Sequence, residues 1–167
     1  MSRHPLPFDP VAEARRRWEA KGWAQAAPGM AAVTSLMRAQ QIMLGRVEEV
    51  LRPFDLTFAR YEVLMLLTFS RAGALPLSRL GDRLQVHPTS VTNVVDRLEA
   101  QGLVCRSPHP TDRRATLAEL TETGRELAVA ATAELNARVF TDPGLGPDGV
   151  EALIGVLTDL RRSAGDF

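Results

Sequence analysis

Residues 75–121 read LPLSRLGDRLQVHPTSVTNVVDRLEAQGLVCRSPHPTDRRATLAELT. Leu77, Leu80 and Leu84 recur at helical spacing, one face of a first helix that begins near Pro76. Gly81 lies on the same side. A glycine in a helix costs roughly 1 kcal/mol against alanine, and a second helix crossing closely is the reason expected for it. The break comes at Gln85-Val86-His87-Pro88, because proline suits the first position of a helix and not its interior. A second helix then runs from Pro88 to about Gln101, with Gly102 as its stop.

Val91, Val94, Val95 and Leu98 form the apolar stripe of that second helix. Thr89, Ser90, Asn93, Asp96 and Arg97 fall on the other side. Short polar groups of this kind read base edges and phosphates when a helix lies in the major groove. Leu103–Arg106 and Ala115–Leu120 read as two strands, joined by a polar turn with two prolines and the sequence Asp112-Arg113-Arg114. Arg106, Arg113 and Arg114 concentrate positive charge there, and an exposed arginine at a hairpin tip fits an A·T-rich minor groove. Asp112 is expected to orient an arginine through a charge-assisted hydrogen bond. Helix, helix and basic hairpin in this order make a winged helix-turn-helix.

Four stretches carry a family resemblance. Asp112-Arg113-Arg114 followed by Leu120-Thr121-Glu122-Thr123-Gly124 resembles the D-x-R…L-T-x-x-G signature of MarR-family transcriptional regulators. Pro88–Thr92 and Asp96–Val104 are similar to that family's recognition helix and its exit. Leu56–Leu64 is similar to its L-T-x-x-x-x-x-x-L helix. The resemblance spans roughly residues 30–160 and has the extra N-terminal helix of an actinobacterial type. It implies a homodimer on a pseudo-palindromic operator in double-stranded DNA, most often a repressor released by a small aromatic ligand. The DNA contacts it implies are His87, Thr89, Ser90, Thr92, Asn93, Arg97, Arg106, Asp112, Arg113 and Arg114, with Arg114 as the minor-groove arginine. The ligand residues it implies are Trp18, Phe58, Tyr61 and Glu62, in a cleft between dimerisation helices and reader.

The expected fold is mainly α with a small β-hairpin wing. Residues 1–30 form an extension with a short helix, and residues 31–167 a single domain. Within it the winged helix-turn-helix occupies about 54–120, between dimerisation helices at about 31–52 and 121–163. Val33, Leu36, Met37, Leu44, Val47 and Leu51 share one face of the first of these, and Val150, Leu153, Ile154, Leu157 and Leu160 one face of the last helix. Such faces exceed what a thin domain hides internally, so a dimer is expected to bury them. Phe58–Phe69 is expected to be a mostly buried helix through Val63, Leu64, Leu66, Leu67 and Phe69. Asp9-Pro10 starts a helix that carries Arg15-Arg16-Arg17 and Trp18.

Composition bounds the alternatives. With 20 basic and 20 acidic side chains, DNA affinity has to come from local charge. One cysteine excludes an intrachain disulfide and suits a reducing cytoplasm. The first nine residues carry no signal-peptide core, and no apolar run reaches the roughly 18 residues of a membrane span. His4, His87 and His109 have no metal-ligand spacing, and nucleotide-binding glycine motifs are missing, so neither an enzyme nor a cofactor is expected. Trp18 also matches a urate-responsive branch of the family, but no arginine stands near Thr92-Asn93 where that branch has one. Cys105, on a wing strand, is expected to serve packing and not redox sensing. The competing readings are a winged-helix module that binds protein, and a regulator that takes no ligand.

Overall fold

A computed structural model describes residues 6–112 and 114–167 of the chain. His4 and Arg113, both singled out in the sequence, lie outside the described residues. The chain divides into two compact units, Met1–Gly45 and Arg46–Phe167.

In the smaller unit, α1 spans Pro10–Ala20. Asp9 caps it by accepting the Val11 N–H at 2.9 Å, and Pro10 takes the first helical position. The arginine run is a solvated face. Glu13 accepts from Arg16 and Arg17, and Glu19 from Arg15, all along the same helix. Trp18 meets Trp23 edge-on, with ring centroids 5.2 Å apart. α2, Ala27–Leu51, starts here and runs on into the larger unit.

The larger unit closes on an apolar core. Val47, Val50 and Leu51 at the end of α2 are buried, and a 3-10 turn at Arg52–Phe54 follows. α3, Phe58–Phe69, is capped by Thr57 and buries Tyr61, Val63, Leu64 and Leu67. Phe69 departs from expectation. It is 76% exposed, because it sits at the helix end on the stripe of Phe58, Glu62 and Met65, off the core stripe. A strand not foreseen, β1 (Ala74–Pro76), precedes α4 (Leu77–Leu84) and α5 (Pro88–Ala100). β2 (Val104–Pro108) and β3 (Thr116–Leu120) complete an antiparallel sheet in the order β1-β3-β2. Three residues are too few for a period-two pattern to show, which is why β1 has no signal in the sequence.

Between α4 and α5 the chain turns through Gln85, which adopts a left-handed conformation at φ 52°. Gly81 faces α5 as expected, but a Cβ there would meet Val91 Cγ2 at 3.4 Å and the Val86 carbonyl at 3.6 Å, ordinary contact. The crossing therefore does not demand glycine.

α6, Glu122–Leu135, opens on the signature Leu120-Thr121-Glu122-Thr123-Gly124. Thr121 Oγ1 accepts the Gly124 N–H at 3.0 Å and donates to the Gly102 carbonyl at 2.8 Å. At Gly124 a Cβ would fall 2.0 Å from the Leu103 carbonyl oxygen. The signature is thus a backbone junction. It fastens the exit of α5 to the start of α6, and one position in it excludes every side chain.

A π-helical turn, Asn136–Phe140, ends α6, and α7 spans Pro147–Ser163 with no buried residue. Arg46 of α2 donates to the carbonyls of Arg138, Asp142 and Pro143 ahead of α7. Beyond its far end, Gln85 donates to the Asp166 carbonyl at 2.5 Å. Among the described residues, no helix is long and apolar enough to cross a membrane.

Candidate nucleic-acid interface

α5 presents the polar face that its sequence prescribes. Val91, Val95 and Leu98 are buried, while Thr89, Ser90, Thr92, Asn93, Asp96 and Arg97 are exposed. Pro88 sets the first turn, and His87 caps it with Nδ1 accepting the Thr89 N–H at 3.2 Å. With Nδ1 occupied as an acceptor, Nε2 is left to donate. The Thr92 hydroxyl donates back to the Pro88 carbonyl at 3.1 Å and keeps only its acceptor capacity for a ligand. Asn93 and Arg97 line a shallow hollow of about 530 Å³ together with Asp55, Thr57, Arg60 and Gln101. Gln101 holds its floor, accepting from Arg60 at 3.1 Å and donating to Asp55 at 2.7 Å.

The hairpin tip is ordered by its own polar groups. The His109 N–H donates to the Ala115 carbonyl, and His109 Nδ1 accepts the Asp112 N–H at 3.1 Å. The Asp112 carboxylate accepts the Arg114 backbone N–H at 3.0 Å, a main-chain contact where one to a guanidinium was expected. The Arg114 side chain stands exposed at the tip.

Arg106 goes elsewhere. Expected among the DNA contacts, it turns back onto α5, where its guanidinium pairs with Asp96 at 2.6 Å and with Glu99. Burial works against its charge, and the pairs with Asp96 and Glu99 outweigh that, holding the guanidinium above its ordinary pKa. Cys105, its neighbour, is exposed and not packed as expected. The alternation of a strand explains both. Arg106 shares the face of buried Val104, and Cys105 takes the opposite one.

Phe58, Tyr61 and Glu62 come together in a second hollow, of about 270 Å³. Met65, Leu66 and Phe69 extend the same α3 stripe, and Arg83, Leu84 and Phe140 complete the lining. These α3 positions recur at helical spacing, a signal that the sequence carries and that the expected ligand set uses only in part. Phe58 and Tyr61 stack at 6.3 Å, and the buried Tyr61 hydroxyl bonds Thr132 at 3.0 Å. Burial pushes the Glu62 carboxyl above the usual carboxylate range. Trp18, the fourth expected ligand residue, belongs to the smaller unit, where it meets Trp23.

Known proteins share this architecture. Residues 56–116 match the MarR family model. Sco5413, a MarR family transcriptional regulator from Streptomyces coelicolor, is 53% identical, with a TM-score of 0.77, over 84% of this chain and 97% of that one. CouR from Rhodococcus jostii, solved bound to p-coumaroyl-CoA, is 30% identical over 75% of this chain and 87% of its own, with a TM-score of 0.65. A cysteine-to-serine mutant of MarR from E. coli, solved with operator DNA, is 26% identical over 76% of this chain and 91% of its own, with a TM-score of 0.70. The chain spans about half the length of the curated helix-turn-helix regulators it matches. An identity above one half, across nearly the whole of a solved family member, decides the matter: this chain belongs to the MarR family of transcriptional regulators.

Proposed function

We propose that this protein is a sequence-specific DNA-binding regulator, acting as a homodimeric repressor that a small aromatic ligand releases. The observation that carries the reading is the exposed polar face of α5 beside a wing tip that offers Arg114. α5 enters a major groove, where Ser90, Asn93 and Arg97 meet base edges and phosphates. Arg114, with Arg113 beside it, reaches the adjacent minor groove. The MarR mutant solved with operator DNA supports the docking. Residues 31–52 and 121–163 supply the dimer surfaces, a role supported by the exposed apolar side chains of α2 and α7.

Selection of duplexes from a random-sequence library, followed by footprinting and salt titration, tests this. The expected site is an inverted repeat with half-sites about 34–36 Å apart, bound with an affinity that falls steeply with salt. A lone half-site, or indifference to salt, overturns it. Enrichment of no sequence at all points to the protein-binding module instead.

The ligand half of the proposal rests on the α3 hollow, whose aromatic wall and single acid suit a planar ligand that donates a hydrogen bond. CouR with its p-coumaroyl-CoA supports a ligand of this class. Such a ligand releases DNA only if it favours the helix spacing that DNA does not. Tryptophan fluorescence and operator affinity should both respond to planar phenols and phenolic thioesters. If neither responds, the ligand half falls and the DNA half stands.

A further inference from the structure

We infer that Arg106 is a positioning residue, a strut that fixes the angle between recognition helix and wing and so sets sequence discrimination; this rests on the DNA-binding reading above. The geometry has three parts. One guanidinium nitrogen pairs with Asp96 and the other with Glu99, carboxylates nearly one turn apart on α5. Glu99 also accepts the Arg106 backbone N–H at 3.2 Å, so a single acid grips both the main chain and the side chain of the wing strand. The Arg106 side chain is 24% exposed, less than either acid it holds.

The anchor lies at the root of the wing. Arg106 pairs in register with Ala118, which is fully buried in β3, and the hairpin tip extends beyond both. A change in the Arg106 contact therefore swings Arg114 relative to the polar face of α5. Both have to engage one duplex at once, so their separation has to match adjacent grooves. A planar arginine fork reaches two carboxylates from separate nitrogens, whereas a lysine ammonium offers all its donors from one point and cannot span them in the same way.

Lysine is accordingly the informative substitution. A phosphate contact survives Arg106→Lys in large part, because the charge stays. A strut does not survive it, because the span is lost. Amide hydrogen exchange on the free full-length protein should speed up across residues 107–115 in both Arg106→Lys and Arg106→Gln, with α6 unchanged. On DNA, the affinity ratio between a library-selected duplex and a random duplex should fall about tenfold in both variants, since base contacts and not phosphate contacts carry discrimination. Arg106→Lys should keep the wild-type salt slope on the random duplex. The pair Asp96→Asn with Glu99→Gln should reproduce the exchange result, and it decides the matter if an Arg106 variant fails to fold.

Wild-type exchange in Arg106→Lys overturns the strut. So does a salt slope reduced by about one in Arg106→Gln with discrimination intact, the mark of a phosphate contact. If the wild type enriches no duplex, the DNA-binding reading fails and discrimination fails with it, while exchange still decides whether the strut exists.

Discussion

The two units of this chain treat their apolar residues in opposite ways. In residues 46–167, Leu51, Leu64, Leu67, Leu80, Leu98 and Leu135 are fully buried. In residues 1–45, Ala27 is buried, while Val33, Ile42 and Met37, the last 64% exposed, present apolar surface. Burying such a side chain stabilises by about 1.5–3 kcal/mol. The reader has gained that stabilisation within one chain, and these amino-terminal side chains have not. α7 stands with the latter, since Leu153, Ile154, Val156 and Leu160 are all exposed. The fold completes its reading head within one chain and leaves apolar side chains exposed on the helices that flank it.

Gly124→Ala should break the reader most severely. A methyl 2.0 Å from the Leu103 carbonyl forces backbone apart at the α5–α6 junction, and the expected loss is about 3 kcal/mol in urea unfolding. A loss below about 1 kcal/mol would show that the junction is looser than its geometry. Arg114→Ala should weaken binding to the selected duplex by about 1–3 kcal/mol while the thermal midpoint stays put. Arg113→Ala should cost less, and equal losses would refute the assignment of the minor-groove residue.

Met37→Glu sharpens the contrast from the other side. It should leave the unfolding of the reader unchanged and raise the dimer dissociation constant about tenfold in sedimentation, the scale set by burying one apolar side chain. A dimer indifferent to this charge would remove α2 from the interface. Gly81→Ala should stabilise by up to about 1 kcal/mol through helix propensity, since its Cβ finds ordinary contact at 3.4 Å. A destabilised variant would restore the close crossing that the sequence suggests.

Glu62→Gln should act least and only through pH. Burial raises the Glu62 carboxyl above its ordinary value near 4.5 in the folded chain, so the folded state holds that proton more tightly than the unfolded one. The stabilisation is present in acid and fades as pH rises through the raised value. The thermal midpoint of the variant should therefore gain on wild type as pH climbs from about 4.5 toward neutral. A difference independent of pH would mean that Glu62 is as solvated as a surface acid.

The reading head is legible in the sequence because its signals are local. Pro88 and Gly102 punctuate α5, Thr57 and Ser70 bracket α3, and the valine stripe assigns a face. Arg106 misleads because its charge draws more notice than strand alternation, although Val104 two residues earlier, apolar and buried, already places it inward. Phe69 misleads because apolar character does not guarantee burial; the rule holds in one direction only. The grip of Arg46 on three carbonyls 92–97 residues away has no local signature at all. Arg83 and Phe140, which complete the hollow along α3, likewise come from elements that only the fold brings there.

The junction at Gly124 has a mechanical consequence. Most contacts between elements run through side chains, which absorb a small displacement by changing rotamer. Here main chain abuts main chain, with the Leu103 carbonyl over a bare Cα and the Thr121 N–H donating to that same carbonyl at 3.1 Å. Such a joint has no slack. A shift of the α5 exit at Leu103 passes directly to the start of α6, as force passes through a weld where a hinge would yield.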